Sequence, residues 1–446
     1  MLETSKDSKE TVRALQRKLY RKAKQQPKFR FYSLYDKVYR EDVLQVAYDR
    51  VKQNRGSPGL DGVTFETIEQ GKGKQVYLLA LQETLKGKTY QAGPVKRVDI
   101  PKGNGETRPL GIPNIEDRIV QMAVKLIIEP IFEAGFSDHS YGFRPKRSAH
   151  QAMDSITDAL LAGHTEVIDA DLSKYFDSIM HEKLMKTVAE RIADKGILWL
   201  LNQWLKARVI RVDKGGKKTM IGGGKKSRRG TPQGGVISPL LANIYLNILD
   251  RIWDKHRLKE KHKARIVRYA DDLVILCANG TDAPFTILKQ VLGKLELQLN
   301  EDKTEIKDAL AEKFNFLGFQ IGMVKRQDKE RYFPLIEPSA KSVKSIKQKI
   351  KFYTRREMNP VPINEIVKKL NWTVRGWSNY FHYGYGHRSI KKVKYYMEES
   401  LRSQLRYRHK VRNRGGSYHK FPRKYLYDYL GLYKPPITPV WKVVHA

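Results

Sequence analysis

Apolar residues along this chain fall into two rhythms, and each predicts its own kind of element. Spacing of i, i+3, i+4 and i+7 puts one buried stripe on a helix, whereas β-branched runs bounded by turn residues mark strands. The helical rhythm runs over residues 8–26, with Val12, Leu15, Leu19 and Ala23 on one face, and again over 41–54. It predicts an apolar helix over 115–134, a long helix entered near Ser238-Pro239, and another over 283–299. "VKRVDIPKGNGETRPLGIP" reads as two strands around a Gly-Asn-Gly turn, and "TEVIDADLSKYFDSI" as a strand running into a helix. "GGKKTMIGGGKKSRRG" is a basic, glycine-punctuated hairpin. "RIVRYADDLVILC", Arg265 to Cys277, is a second hairpin with two aspartates at its tip, and short strands follow near 314–336. Three more helices are predicted over 340–357, 363–383 and 388–409. In the middle one, Ile363, Ile366, Val367, Leu370, Val374, Trp377 and Phe381 form one stripe, with basic residues on the other face.

Charge changes this picture. The 446 residues carry 85 Lys and Arg against 48 Asp and Glu, a net +37. Such an excess points to a polyanionic partner, and 24 tyrosines and 6 tryptophans offer stacking surfaces that favour nucleic acid over an anionic membrane. Residues 337–446 hold 25 of the basic and 6 of the acidic residues, which predicts a separate helical unit touching phosphates. One cysteine, Cys277, excludes a disulfide framework and a Cys-rich zinc site. The most apolar stretch, "IVQMAVKLIIEPIFEAGF", is broken by Lys125, Glu129, Pro130 and Glu133, so no membrane span is expected. The N-terminus carries Glu3, Asp7 and Glu10 and has no secretory core. A cytoplasmic protein is expected.

The doubled acid Asp271-Asp272 is the candidate chemistry. Adjacent carboxylates repel, and apolar flanks make their charge costlier still. Divalent cations relieve that repulsion. Phosphoryl transfer uses two of them, about 3.5–4 Å apart, and Mg2+ prefers carboxylate oxygens. A third acid is needed, and "VIDADLSKYFDSI" offers Asp169, Asp171 and Asp177. Asp171, at a strand's carboxyl end with Tyr175 four residues on, is the choice; Asp169 and Asp177 are read as structural.

These residues carry a family resemblance. "RYADDLVIL" resembles the Tyr-X-Asp-Asp box of reverse transcriptases, and "DADLSKYFDSI" their first aspartate motif. "RRGTPQGGVISPLLANIYLN", "VDIPKGNGETRPLGIP", "HSYGFRPKRSAHQA", "LQLNEDKTEI" and "FNFLGFQI" resemble further motifs of the same series, in the same order. "NRGSPGLDGVT" resembles the N-terminal extension of group II intron-encoded reverse transcriptases, and "LNWTVRGWSNYFHYG" their maturase or thumb helix. The resemblance covers roughly residues 40–410.

It implies an α+β right-hand polymerase: a basic N-terminal helical extension (1–39), fingers and palm with a small antiparallel sheet (40–336), an α-helical thumb (337–410) and a short basic tail (411–446) that is a candidate DNA-binding segment. Asp171, Asp271 and Asp272 would be the catalytic acids and, with the Leu172 carbonyl, would hold two Mg2+ ions, with Mn2+ as a substitute. Lys102 and Arg108 would grip the incoming triphosphate. Tyr175 would lie under the sugar and exclude a 2′-hydroxyl. Gln233 and Gly234 would line the nucleotide and template pocket, Lys303 would protonate pyrophosphate, and Arg144 would hold the template strand or the fingers.

The implied partners are dNTPs, an RNA template with a DNA primer, target DNA and a structured group II intron RNA whose splicing the protein assists. Localisation would be bacterial cytoplasm, at the nucleoid. The oligomeric state is left open. With about 36 residues after the thumb and one cysteine, the chain is not expected to carry the Cys/His nuclease of larger family members, so priming from pre-existing DNA ends is expected. Two other readings stand beside this one. One is a non-catalytic RNA-binding splicing factor; the other is a domesticated reverse transcriptase in phage defence, CRISPR spacer acquisition or DNA repair.

Overall fold

A computed structural model of the chain describes residues 2–101, 107–213, 215–325 and 331–439. Its strands, in chain order, are β1 (Val95–Pro101), β2 (Thr107–Ile112), β3 (Glu166–Ala170), β4 (Val209–Val212), β5 (Lys218–Gly222), β6 (Ala264–Tyr269), β7 (Asp272–Cys277), β8 (Glu305–Asp308), β9 (Phe314–Phe316), β10 (Phe319–Lys325) and β11 (Tyr332–Pro338). They form three small sheets, ordered β2-β1-β4-β5, β6-β7-β3-β8 and β11-β10-β9. The second sheet is antiparallel throughout and backed by helices, the α+β arrangement expected from the sequence.

The apolar runs explain that sheet. Leu273 to Cys277 of β7 are fully buried, as are Val167, Ile168, Ile266 and Val267. Both faces are covered, so the strands read as continuous hydrophobic runs rather than alternating ones. One face packs on the helix Ser238–Lys255, whose Leu241, Tyr245, Leu246, Leu249 and Trp253 are buried in the same core. The helix starts as its sequence predicts, with Pro239 in the first turn.

The predicted helices over 8–26, 41–54 and 115–134 are observed as Leu2–Gln25, Glu41–Gln53 and Ile115–Glu133. They pack together, and Gln16 and Lys24 of the first donate to the Leu126 and Ala134 carbonyls at the third. The helix expected over 283–299 stops at Lys294, because Glu296 turns left-handed at φ 53°. The freed residues run on to pair Leu299 with Leu172. The basic hairpin has its first strand upstream of the glycines, at β4, which also pairs parallel to β1. The expected Gly-Asn-Gly turn lies outside the described residues.

Beyond β11, helices Ala340–Thr354, Ile363–Phe381 and Gly386–Arg408 build a core of their own. The Ile366, Val367, Leu370 and Val374 stripe is buried in it, and Trp377 packs at its edge as a core residue. His150 ties this unit to the palm. Its ring stacks on Tyr383 at 5.5 Å, and its Nε2 lies 2.7 Å from the Tyr380 carbonyl. Among the described residues no helix is long and apolar enough to cross a membrane.

Candidate active site

Strand register builds the site. β6 and β7 pair down to Tyr269↔Asp272, so Ala270 and Asp271 alone form the turn. Ala270 sits at φ 60°, a left-handed conformation that costs a non-glycine residue roughly 1–2 kcal/mol. β3 lies on the other side of β7, and the pair nearest the turn is Ala170↔Leu273. One step further along this antiparallel ladder, Asp171 comes level with Asp272. The structure thus brings together three acids that the sequence separates by a hundred residues. The Asp171 backbone is anchored as well: its carbonyl accepts from Asn300 N at 2.8 Å, and Ser173 N donates to the Gln298 carbonyl at 2.9 Å.

Asp271 and Asp272 both sense the charge of Asp171. Burial pushes Asp272 up to about 6, reinforced by the charges of Asp271 and Asp171 and opposed by Lys303. Asp271 is also raised, by burial and then by Asp171, with Arg108 and Arg268 pulling the other way. Lys303 Nζ lies 3.3 Å from Asp171 Oδ2. Among the described residues no three acidic, His or Cys side chains are already drawn into a metal cage. The donor chemistry nevertheless fits a hard divalent cation: carboxylate oxygens crowded enough to disfavour their own charge, with Arg108 and Lys303 nearby.

A pH dependence follows. An acid whose folded pKa is raised stabilises the fold only while protonated, so this contribution fades as pH rises from about 4 through about 6. Bound Mg2+ or Mn2+ would offset that loss. We expect either ion to raise the melting temperature more at pH 7.5 than at pH 5.5, and the difference to shrink in Asp272→Asn. Equal shifts at both pH values would count against ion binding at these acids.

Arg108, on β2, and Gln233 lie beside each other. Arg108 Nε is 3.4 Å from Gln233 Oε1, and its charge reaches Asp271. Gly111 N donates to the Gln233 carbonyl at 2.5 Å. Gly234 permits that approach: at φ 113° it has no side chain, and a Cβ there would sit 2.4 Å from the Gly111 carbonyl. Leu172 is buried beneath the site. Asp169 is pushed up to about 7, first by burial, with Lys307 opposing, and Asp177 is raised mainly by burial. Lys102 lies outside the described residues.

One expectation needs correction. Tyr175 is only 2% exposed, and its hydroxyl donates to the Ala242 carbonyl at 2.6 Å. It is a core residue joining the Asp171 segment to the helix Ser238–Lys255, not a platform for a sugar. Arg144 is 7% exposed, and its guanidinium is held by Glu133 and the Ser137 and Ser140 carbonyls. Of the two roles expected of it, holding the fingers fits these contacts better than reaching a template strand. Sequence reasoning also missed Arg268, Asp250, Asn243 and Gly142, which surround the Asp271 turn from behind. A charge at position 268, on the strand face of buried Ala264 and Ile266, was the available signal.

An acid cluster at the strand ends of an antiparallel sheet, with Arg108 nearby, is an arrangement suited to nucleotidyl transfer. Residues 100–321 match the family described as reverse transcriptase (RNA-dependent DNA polymerase), and residues 343–425 match the group II intron, maturase-specific domain. Protein YkfC of Escherichia coli K12 is 36% identical over 348 residues, covering 70% of this chain and 88% of that protein. The group II intron-encoded protein LtrA of Lactococcus lactis is 28% identical over 468 residues, covering 85% and 75%. A solved partial Cas6-RT-Cas1–Cas2 complex aligns with TM-score 0.35 and 24% identity over 59% of this chain and 41% of that one. The chain belongs to the group II intron reverse transcriptase/maturase family. It is an RNA-directed DNA polymerase with a maturase domain.

Proposed function

We propose that the reaction is attack of a primer 3′-hydroxyl on the α-phosphate of a dNTP, with pyrophosphate leaving, centred on Asp171, Asp271 and Asp272. The observation that carries this is the register of β3 on β7, which sets Asp171 beside the turn. Two divalent cations, Mg2+ or Mn2+ as its substitute, would be held by these acids with the Leu172 carbonyl, and when bound they neutralise charge on the attacking and leaving oxygens. Arg108 offers the triphosphate a forked cation, and Gln233 orients that fork. Lys102 is the second phosphate grip. Lys303, already beside Asp171, is placed to give a proton to the leaving group. In this scheme residues 40–336 serve as fingers and palm, 337–410 as thumb, and 1–39 and 411–446 as basic flanks.

The maturase role needs a surface for structured RNA. What supports one is a cleft of about 920 Å3 on the C-terminal helices, lined by Arg388, Lys391, Lys392, Lys394, Arg423 and Lys434. Tyr395, 54% exposed, stands at its edge as a stacking face. Lys391→Glu with Lys392→Glu should weaken binding of a folded intron RNA and flatten its salt dependence, by a slope of roughly 0.7–0.9 for each phosphate left without its cation. Extension of a short primer should persist. An unchanged salt slope would remove the cleft from the RNA surface.

Intron mobility, copying the RNA into target DNA from an existing 3′ end, is the wider role. The likeness to LtrA and the basic tail support it, as the net charge supports work at the bacterial nucleoid. The direct test is oligo(dT) extension on poly(rA) by the intact chain in Mg2+, together with sequencing of RNA that copurifies. No extension under any divalent ion would overturn the polymerase reading of this site; a diffuse RNA pool would overturn the intron partner.

A further inference from the structure

Arg268 is an arginine with 1% exposure, set in β6 among Val, Ile and Leu. Each of its three guanidinium nitrogens is held. Nε and Nη2 form a fork on Asp250, at 3.1 and 2.6 Å, and Nη1 donates to Asn243 Oδ1 at 3.1 Å and to the Ala270 carbonyl at 2.8 Å. Asp250 is equally buried, and both it and Asn243 belong to the helix Ser238–Lys255. Asn243 then donates through Nδ2 to the Gly142 carbonyl at 2.8 Å. The backbone of Arg268 is gripped by the same loop: its N–H donates to the His139 carbonyl and its carbonyl accepts from Tyr141 N, each at 2.9 Å.

We propose that Arg268, clamped by Asp250 and Asn243, is a positioning residue for nucleotidyl transfer: it fixes the turn that carries Asp271 and so sets the separation between Asp271 and Asp171. Three observations converge on this. The acceptor of its last donor is Ala270, the turn residue in the left-handed region, where the backbone needs an external restraint to stay. The helix that holds Arg268 through Asn243 also holds the Asp171 segment one residue earlier, through the Tyr175 hydroxyl on Ala242. One rigid rod therefore spans both acid-bearing segments. Finally, stability alone gives no reason for the pair, since buried ion pairs are often matched or bettered by apolar residues of equal volume. The guanidinium charge also opposes the rise that burial imposes on Asp271.

The inference rests on the proposed polymerase reading, and the experiment separates the two. Arg268→Lys keeps the charge but cannot reproduce the planar fork on Asp250 while also reaching Asn243 and the Ala270 carbonyl. Arg268→Met with Asp250→Leu replaces the pair by apolar volume and preserves the fold if the lysine variant does not. Both are compared with the parent chain in single-nucleotide extension and in Mn2+ binding followed by electron paramagnetic resonance of the ion. Folded variants should lose about tenfold to hundredfold in kcat with KM for dNTP little changed, and Mn2+ should bind more weakly. Asn243→Ala, which leaves the ion pair in place and cuts the link to Gly142, should lose kcat in the same sense. Full kcat and unaltered Mn2+ binding in a folded variant, Asn243→Ala included, would overturn the positioning role. Inactivity of the parent chain would instead overturn the polymerase reading.

Discussion

Replacing Asp271 by Asn is expected to lower primer extension by roughly a thousandfold or more while leaving the protein folded and bound to its RNA. The size follows from the loss of charge where two ions should sit, since each 1.36 kcal/mol of transition-state stabilisation is a factor of ten in rate. Stability should not suffer. Asp271 is raised by burial and by Asp171, and it in turn raises Asp272, so an uncharged isostere relieves a strained cluster. The melting temperature without metal should therefore hold or rise at pH 7.5, and the effect of added Mg2+ should fall. Single-turnover extension with a labelled primer, beside a thermal melt, checks both halves. Extension within about tenfold of the parent would remove Asp271 from the reaction. Retained splicing assistance in the same variant would show that the two activities use separate surfaces.

The second large effect is expected at Gly142→Val. A Cβ at this position would lie 2.3 Å from Ala270 N and 2.8 Å from the Tyr269 carbonyl carbon. Both are backbone atoms of the acid turn and cannot swing aside as a side chain would. The turn must shift, and displacements near an ångström cost about a hundredfold in rate. Overpacking should also cost about 1–3 kcal/mol, read by a urea melt. Gly376→Ala is the control. Gly376 lies in the helix Ile363–Phe381 with nothing within 4 Å of its added methyl, so extension should be unchanged and stability slightly increased. If both variants extend primers normally, the close packing behind the turn has no part in the chemistry.

The hairpin and the C-terminal helices were legible because local spacing dictates them. Val, Ile and Leu on both sides of Asp271-Asp272 leave little but a buried hairpin with its acids at the tip, and the Ile366 to Phe381 stripe fixes one helix face. The acid cluster was legible through motif order, which stands in for the long-range pairing of β3 with β7. What stayed hidden depends on partners far along the chain. Tyr175 looks like a ligand-facing aromatic until the Ala242 carbonyl claims its hydroxyl. Arg144 reads equally as a hold on the template strand or on the fingers until Glu133 and two backbone carbonyls are seen to hold its guanidinium. The parallel pairing of β1 with β4 joins segments more than a hundred residues apart, and no local period encodes it.

The Asp171 strand is flanked by β7 on one side and β8 on the other, and both are translated long after it. A ribosome-bound fragment ending before Asp272 lacks both partners of that strand and leaves its edges open to solvent or to a neighbouring chain. Such a nascent chain can fold its N-terminal helices on each other, but it cannot complete the ladder that aligns the acids. Copying competence thus arrives late in synthesis, and prematurely terminated products are inert from the outset.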